Sequence, residues 1–472
     1  MKFYNTLTRS IETFVPIEKD RVKLYSCGPT VYDRAHVGNL RSFLFVDLLK
    51  RWLEFNKFSV THVMNLTDVD DKTIKRSRQK GISLHALTNQ YSEAFFADLA
   101  KLGIKPATVY TKATEHIPEM IALIKKLLTN NHAYQKDGSV YYRISSFPTY
   151  GHLARLNTSG MKVGASGVDM DEYDKDDVRD FVLWKAFKPV EDGDVYWDTE
   201  IGRGRPGWHI ECSAMSMKHL GQTFDIHTGG IDLIFPHHQN EVAQSEGATG
   251  QRFVNYWLHS GHLFFVGKKM AKSAGTVMNL DDVAKTNIEI NAFRYLMLST
   301  HYRAELNLTD ESLKASKKTV QRLQRFRSSL QSVKSNGENR IQSLILKTRN
   351  SFIQALDQDL GTPRALAIIF DLINIIEKQH GVKNLTVGSA TAVLDLLYVF
   401  DSIFRILPID EESFEMQKEA LALIPEIKQL VEERSLSRAN GDWQRADEIR
   451  KVLLKKGVKL TDTEKGTTLE RL

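Results

Sequence analysis

The chain has 472 residues, of which 42% are hydrophobic and 26% charged, and its formal net charge is +6. This length predicts several domains, and the composition is that of a soluble globular protein. No apolar run reaches the length needed to cross a bilayer, and the N-terminal segment lacks the apolar core of a secretory signal. We therefore expect a cytoplasmic protein without a membrane partner, and the small basic excess is only a weak sign of an anionic partner.

Strand and helix patterns alternate through the first part of the chain. Val22–Ser26 is typical of a buried strand, apolar residues at helical spacing predict a helix over Gly38–Asn56, and Ser59–Met64 predicts a second strand. Strand, helix and strand in this order indicate a right-handed parallel crossover unit. Helices follow over Leu84–Leu102 and Ile117–Leu128, before an insertion that contains strands.

The alternation resumes beyond the insertion and then fades. We predict a helix over Trp208–Leu220, a strand over Phe224–His227, a helix over Pro236–Gly247 and a strand over Val254–Phe265. These elements would complete a doubly wound parallel sheet of Rossmann type. Beyond about Leu308 amphipathic helices dominate. The sequence thus predicts an α/β front half and an all-helical back half.

Two short segments suit the phosphates of a nucleotide. His36–Asn39 stands between a predicted strand and a helix start, where free N–H groups and the helix dipole favour anions. Gly38 allows close approach to the backbone, and His36 can donate a hydrogen bond to a phosphate oxygen. The lysines of Lys268–Ser273 could close over a triphosphate. A surface turn and a solvated loop are the alternatives, and the order of the two segments favours the nucleotide.

A third set of residues suits a metal ion. His237 and Glu241 are four residues apart in a predicted helix, so their side chains share one face. The only two cysteines are Cys27, at the end of the first sheet strand, and Cys212, one turn into a helix. Two thiols, an imidazole and a carboxylate can form a tetrahedral zinc site. Two inert buried thiols beside an unrelated histidine are the alternative.

Longer strings around these residues resemble a known family. They are Cys27–Asp33, Thr67–Lys72, Gly207–Met215 and Phe235–Glu241. In collinear order they closely resemble cysteinyl-tRNA synthetases, and the two nucleotide segments resemble the paired motifs of class I aminoacyl-tRNA synthetases. The resemblance departs at two positions, because Asn39 stands where many class I enzymes have histidine and Ala271 replaces the usual serine.

The resemblance implies ATP-dependent ligation of L-cysteine to cysteine tRNA through a cysteinyl-adenylate, with Mg²⁺ accompanying ATP. It implies one zinc ion per chain that selects the substrate thiolate, with the ligands Cys27, Cys212, His237 and Glu241. Catalysis and ATP binding would involve His36, Asn39, Lys269 and Lys272, with Gly38 also at the ATP. The residues around the amino acid would be Thr67, Trp208, His227 and Asp232. Four protein ligands would close a zinc site, so either the thiolate adds as a fifth ligand or Glu241 yields.

The resemblance also implies a division into domains and a monomeric chain. A Rossmann-type catalytic domain would occupy residues 1–113 and 197–265, split by a connective insertion at 114–196. A nucleotide-loop and stem-contact region would follow at 266–308. A helical tRNA-binding bundle at 309–408 and a small anticodon-binding domain at 409–472 would complete the chain.

Basic residues are in excess at the start of the helical region. Between Thr309 and Asn350 ten basic residues face three acidic ones. This excess suits phosphate contacts with tRNA, although a solvated helix face would look the same. Trp443 could stack on an anticodon base or belong to a helix core. The basic residues are Lys314, Lys317, Lys318, Arg322, Arg325, Arg327, Lys334, Arg340, Lys347 and Arg349.

Two other functions share parts of this pattern. A ligase that joins cysteine to an amino sugar–inositol resembles this chain in its zinc pocket and adenylate chemistry, but it lacks a C-terminal anticodon module. A non-catalytic tRNA-binding or zinc–thiol sensing paralogue would carry degraded nucleotide motifs. The residues His36, Gly38, Lys269 and Lys272 all persist here, which favours the synthetase.

Overall fold

A computed structural model describes residues 1–156, 179–265, 268–269 and 278–407, with parts of 430–471. The chain divides into two compact units. The first comprises Met1–Phe95 and Ile104–Pro408, and the second comprises Phe96–Gly103 and Ile409–Leu472.

The first unit starts with an antiparallel hairpin that the sequence did not predict, and then enters a parallel sheet. The elements are β1 (Lys2–Asn5), β2 (Ser10–Thr13), β3 (Arg21–Ser26), α1 (Val37–Phe55), β4 (Ser59–Leu66), α2 (Asp71–Lys80), α3 (Leu84–Lys101) and β5 (Val109–Lys112). The strands β3, β4 and β5 are mutually parallel, so the predicted crossover unit is confirmed.

The long helix α1 forms because its apolar residues recur at helical spacing. Leu40, Leu44, Leu48 and Trp52 are all buried, as the periodicity predicts. Each such side chain stabilises the fold by about 1.5–3 kcal/mol relative to exposure. The packing of this face fixes the start of α1 next to the end of β3.

The insertion is built on a four-stranded antiparallel sheet in the order β6-β7-β8-β9. Its elements are α4 (Ile117–Thr129), β6 (Ala133–Lys136), β7 (Ser139–Tyr142), β8 (Phe181–Ala186), α5 (Pro189–Asp192) and β9 (Gly204–Pro206). Because β9 belongs to this sheet, the sheet extends past residue 196, where the sequence placed the end of the insertion.

The parallel sheet is completed by two further strands. The elements are α6 (Trp208–Leu220), β10 (Phe224–Gly230), a π turn at Ile234–His238, α7 (Gln239–Thr249) and β11 (Val254–Ser260). The five strands have the order β11-β10-β3-β4-β5, and all neighbours are parallel. The direction of winding therefore reverses between β3 and β10.

The single strand predicted over Val254–Phe265 is wrong, because the chain breaks after Ser260. Arg41 donates hydrogen bonds to the carbonyls of Gly261, at 3.0 Å, and His262, which turns the chain. The next strand joins a separate three-stranded sheet in the order β13-β12-β14. The elements of this region are β12 (Leu263–Phe265), β13 (Lys268–Lys269), α8 (Leu280–Val283), α9 (Asn287–Ser299) and β14 (Leu306–Leu308).

Helices then dominate, as predicted. They are α10 (Asp310–Gln331), α11 (Gln342–Asp357), α12 (Thr362–Ile375) and α13 (Val387–Phe404). By length and composition α13 is the one described helix that could cross a membrane. Its residues Val393, Leu397 and Phe400 are buried in the same apolar core as residues of α11 and α12, so packing accounts for its apolar character.

Besides the end of α3, the described part of the second unit contains a helix and an antiparallel hairpin. These are α14 (Trp443–Lys455), β15 (Val458–Thr463) and β16 (Gly466–Arg471). Trp443 is 62% exposed, so it does not belong to a helix core. The guanidinium of Arg438 lies 5.6 Å from the centre of its ring.

Candidate functional site

The carboxyl ends of β3 and β10 open onto a cleft of about 350 Å³. The winding of the sheet reverses between these strands, which is where open α/β sheets bind ligands. The structure thus brings segments that are far apart in the sequence to one place. The predicted site residues that line the cleft are Cys27, His36, Gly38, Asn39, Trp208 and Asp232.

The helix α1 begins at this cleft with a reciprocal cap. Nδ1 of His36 accepts a hydrogen bond from the backbone N–H of Asn39 at 3.2 Å. In return, Oδ1 of Asn39 accepts from the backbone N–H of His36 at 3.3 Å. A Cβ atom at Gly38 would lie 2.9 Å from the ring of His36, so this cap requires glycine there. The departure at Asn39 therefore has a structural role, since its side chain closes the capping box.

A tight turn after β3 holds Cys27 in place. The backbone N–H of Gly28 donates to Oδ1 of Asn65 at 2.8 Å, and that of Cys27 donates to the carbonyl of Thr228 at 3.2 Å. A Cβ atom at Gly28 would lie 1.7 Å from the backbone oxygen of Asn65. A hydrogen bond to the Asn65 side chain of β4 and a main-chain hydrogen bond to β10 thus fix the position from which the thiol extends.

The four predicted metal ligands converge behind the cleft. Cys27, Cys212, His237 and Glu241 each offer a donor atom, and these atoms all lie within 4.8 Å of one another. Nε2 of His237 is 3.1 Å from Oε1 of Glu241. His237 lies in the π turn and Glu241 in the first turn of α7, so the predicted helix begins later than expected while the two side chains still meet.

Two further histidines reach the same thiol and carboxylate. Nε2 of His227 lies 3.0 Å from Oε2 of Glu241, and Nε2 of His238 lies 3.3 Å from Sγ of Cys27. Cys27, His227, His238 and Glu241 therefore form a second group with donor atoms within 4.8 Å. His227, predicted beside the amino acid, is fully buried and faces Glu241. Sequence reasoning missed His238, and its only signal was its place beside His237.

Burial controls the titration of this cluster. It raises the pKa of Glu241 well above the usual value, and it raises the pKa of the Cys27 thiol, to which the neighbouring Cys212 adds. Burial also lowers the pKa of His237 well below its usual value. The isolated cluster thus favours neutral acids and neutral imidazoles. A divalent cation would stabilise the carboxylate and the thiolates, and it binds neutral imidazole, so the residues fit a metal ion.

Aromatic neighbours fix the orientation of the histidine rings. The ring of Trp208 stacks on that of His237, with 4.3 Å between the centroids, and Nδ1 of His209 is 2.9 Å from Nδ1 of His237. Nδ1 of His238 is 2.7 Å from Nε2 of His259. Such outer contacts orient ligating imidazoles in metal sites.

The remaining predicted site residues differ in their burial and in their position in the fold. Thr67 is buried just after β4, and its Oγ1 accepts a hydrogen bond from Nδ2 of Asn65 at 3.1 Å. Asp232 is exposed in the turn after β10. The backbone of Lys269 lies in β13, paired with Phe264. Lys272 and Ala271 lie outside the described residues.

Comparisons with known proteins identify the family. A family model described as the class I (C) tRNA synthetase catalytic domain matches residues 13–318, and a DALR domain model matches residues 351–407. The chain is 45% identical to a cysteine–tRNA ligase of Brachyspira hyodysenteriae, over 99% of each chain. The chain belongs to the cysteine–tRNA ligase family. A cysteine–tRNA ligase of Chlamydia caviae is 43% identical, over 99% of this chain and 97% of that one.

Solved structures confirm the predicted fold class. A methionyl-tRNA synthetase of Mycobacterium tuberculosis bound by methionyl-adenylate aligns with a TM-score of 0.61, over 84% of this chain and 94% of that one. A leucyl-tRNA synthetase of Agrobacterium radiobacter in a ternary complex aligns with a TM-score of 0.57, over 86% of each chain. Their sequence identities are 13% and 12%, so these structures bear on the fold alone. The chain thus has the class I synthetase fold, and the DALR match covers the end of α11 together with α12 and α13.

Proposed function

We propose that this member of the family attaches L-cysteine to cysteine tRNA through a cysteinyl-adenylate. The observation that carries this proposal is the cluster of two thiols, an imidazole and a carboxylate directly behind the cleft where α1 begins. A thiol-recognising metal and an anion-binding helix start are the two parts that cysteine activation by ATP requires. Full-length relatives that are cysteine–tRNA ligases support the same activity.

We propose zinc as the metal, because thiolate and imidazole ligands suit this ion and a carboxylate can complete the set. When bound, zinc would supply a soft Lewis acid that prefers a thiolate to a neutral hydroxyl. Rejection of serine by about 10⁴-fold corresponds to about 5.5 kcal/mol, which a hydrophobic pocket does not supply between near-isosteres. Of the two ligand groups we favour the one with Cys212, since it contains both thiols.

Different residues at and around the cleft would bind different parts of the substrates. The start of α1, with His36 and Asn39, would hold ATP phosphates, and Mg²⁺ would accompany them. Asp232 is exposed at the cleft and can accept hydrogen bonds from the substrate ammonium group. Trp208 would cover the side chain of the substrate cysteine beside His237. Thr67 and His227 would surround the amino acid from the interior of the protein. Lys269 and Lys272 would stabilise the charge that develops as pyrophosphate leaves.

The reaction would follow two displacements. An oxygen of the cysteine carboxylate attacks the α-phosphate of ATP in line, and the bond to pyrophosphate breaks. A terminal ribose hydroxyl of the tRNA then attacks the carbonyl carbon, and AMP leaves. Neither step needs a protein nucleophile, so positioning and electrostatic stabilisation carry the catalysis.

The organisation beyond the catalytic site is also part of the proposal. We propose the domain division predicted from the sequence, with the insertion extended to include β9, and with tRNA contacts from the basic helical region at 309–408 and the module at 409–472. We also propose a monomeric enzyme that acts in the cytoplasm. Sedimentation of the purified chain would test the monomer.

Cysteine-dependent exchange of pyrophosphate into ATP, followed by charging of cysteine tRNA, tests the function. Both activities are expected, with about one zinc per chain by elemental analysis. Absence of exchange would overturn the proposal. Exchange without charging would instead favour the ligase that transfers cysteine to an amino sugar–inositol.

A further inference from the structure

Two histidines meet away from the catalytic cleft, where α4 passes the end of α6. His116 is the residue before α4, and His219 lies in the last turn of α6. Their Nε2 atoms are 3.1 Å apart, and their ring planes make an angle of 61°. His116 is buried and His219 is exposed, so the pair can be reached from the solvent. The proposed aminoacylation reaction uses neither residue.

The hydrogen-bonding of His116 determines which nitrogen is available. Its Nδ1 lies 2.8 Å from the carbonyl oxygen of Lys112, an acceptor only, so Nδ1 carries the proton. In the neutral ring Nε2 is then a lone-pair donor that faces His219. A ring nitrogen bonded to a backbone carbonyl, with the other nitrogen presented outward, is the usual arrangement of metal-ligating histidine.

The separation of the two nitrogens suits one metal ion. Zinc–nitrogen bonds are about 2.0–2.1 Å long, so two nitrogens 3.1 Å apart would subtend about 98° at the ion. This angle lies between those of square-planar and tetrahedral sites. His219 would take the tautomer protonated at Nδ1, so ion binding needs no net loss of a proton from either neutral ring.

A carboxylate in the first turn of α4 would serve as a third ligand after a change of its side-chain rotamer. Glu119 is three residues beyond His116, in the first turn of α4. At present its Oε1 contacts Nζ of Lys218 at 2.9 Å, and both groups of this ion pair are partly exposed. Exposed ion pairs are weak, so Glu119 can exchange Lys218 for a cation at small cost. The C-terminal end of the α6 dipole also favours positive charge beside His219.

We propose that His116 and His219, with Glu119 turned from Lys218 toward them, form a second, exchangeable site for a divalent transition-metal ion. Two imidazoles and one carboxylate are a known zinc donor set that leaves a position for water. An ion bound there would join the start of α4 to the end of α6, the helix that carries Trp208 and Cys212. Because none of its three ligands belongs to the catalytic cluster, the proposal stands apart from the proposed function.

Calorimetric titration of Zn²⁺ into the enzyme as purified, with its tightly bound metal retained, tests this site. We expect one additional binding event in the wild type. His219→Gln should abolish it, because the exposed side chain supplies one of two imidazoles, and Glu119→Gln should weaken it at least about tenfold. The control His85→Gln, which alters an exposed histidine of α3, should bind as the wild type does.

Cysteine-dependent pyrophosphate exchange and the tightly bound metal content should be unchanged in His219→Gln. This readout separates the second site from the catalytic cluster, and it also shows that the variant is folded. A wild type that binds no additional Zn²⁺ would overturn the proposal. An additional event that persists in His219→Gln would overturn it as well, since the ion would then lie elsewhere.

Discussion

At the scale of single residues, the thiol of Cys212 is the most direct test of the metal site. It is buried, and its sulfur lies among donor atoms of three other residues. In Cys212→Ser oxygen replaces sulfur with little change in size, and a neutral hydroxyl is a poor zinc ligand. We expect most of the tightly bound zinc to be lost, and the preference for cysteine over serine to fall about 100-fold.

Elemental analysis and pyrophosphate exchange with each amino acid measure these two effects. Met217→Leu, one turn further along α6, serves as the control and should retain zinc and selectivity. Full zinc content in Cys212→Ser would remove this residue from the ligand set. The metal ligands would then be the second group, in which His227 and His238 accompany Cys27 and Glu241.

Residue-scale prediction succeeded where a motif was local and failed where the partner was distant. The spacing of His237 and Glu241 predicted their contact, because four residues bring side chains together on helical backbone. No such spacing connects His227 to Glu241, and their contact depends on the packing of β10 against α7. The structure turns Nε2 of His227 toward the carboxylate, and the place beside the amino acid that the resemblance implies for His227 stays a prediction.

At the scale of elements, the capping box at the start of α1 has a measurable role. Asn39→Ala removes the acceptor for the His36 N–H and leaves the helix start less ordered. We expect a loss of about 1 kcal/mol in the free energy of unfolding and a raised KM for ATP. Denaturant unfolding and steady-state kinetics measure the two quantities.

Asn56→Ala at the other end of α1 is the matched control for this prediction. Nδ2 of Asn56 donates to the carbonyl of Trp52 at 2.8 Å, so this variant also loses a helix-end hydrogen bond. It should lower stability without changing the KM for ATP. An equal rise of KM in both variants would mean that the effect reflects general loosening of α1.

The helix α10 presents a basic face that can be tested directly. Lys314, Lys318 and Arg325 are exposed and lie on one side of the helix, while Lys317 and Arg322 contact acidic partners. Reversal of the three exposed charges should raise the KM for tRNA and make binding less dependent on salt, with a log–log slope smaller by about 2–3. Pyrophosphate exchange without tRNA should not change.

Charging assays over a range of salt concentrations measure this effect. The control Lys126→Glu reverses an exposed charge on α4 and should leave the KM for tRNA as it was. Wild-type salt dependence in the triple variant would assign these charges to a solvated face.

Helices were easier to predict than strand ends, for a physical reason. The helices α1 and α6 were predicted to within about one residue, because apolar spacing and helix ends are encoded nearby. The break between β11 and β12 was not predicted. It depends on Arg41, about 220 residues earlier, and on Gly261, where a Cβ would lie 2.5 Å from the carbonyl oxygen of Ala304.

At the scale of the whole first unit, a buried ion network joins the parallel sheet region to the helical region. Both carboxylate oxygens of Asp47 in α1 accept a hydrogen bond from Nε of Arg51, at 3.0 and 2.9 Å. Asp47 also pairs with Arg294 of α9. The two arginines donate to the carbonyls of Ser402 and Phe404 at the end of α13. One carboxylate thus connects three helices that are distant in sequence.

Asp47→Asn should therefore destabilise the unit strongly. Burial opposes ionisation of Asp47, but Arg51 and Arg294 outweigh it and hold its pKa at about 2. The variant leaves the arginine charges buried without a counter-ion, at a cost of about 3–5 kcal/mol at neutral pH. Denaturant unfolding measures this difference.

The effect of Asp47→Asn on the free energy of unfolding should depend on pH, because the pKa of Asp47 is lowered in the folded state. Its value in the folded state, about 2, lies below the ordinary 3.8. The stabilisation is therefore complete above about pH 4 and is lost as the pH falls toward 2. The difference in the free energy of unfolding between wild type and Asp47→Asn should therefore become smaller over that pH range. A difference that is constant with pH would contradict an electrostatic origin.

The alternation of strands and helices predicted the parallel sheet, but it could not give the order of the strands. The placement of β10 beside β3 brings Cys27 next to Thr228, about 200 residues later in the chain. The site forms because β3 and β10 are adjacent strands of the sheet. Motif resemblance identified the members of the site, whereas their distances depend on packing between elements that sequence periodicity does not encode.

The turn at Gly28 constrains any redesign of this enzyme for other amino acids. No side chain can be accommodated at position 28 while the backbone oxygen of Asn65 stays in place. A library intended to change the amino acid that is accepted should therefore leave Gly28 and Asn65 fixed. Diversity is better directed to Cys27 and Trp208, whose side chains border the cleft and whose backbone lies at the end of β3 and the start of α6.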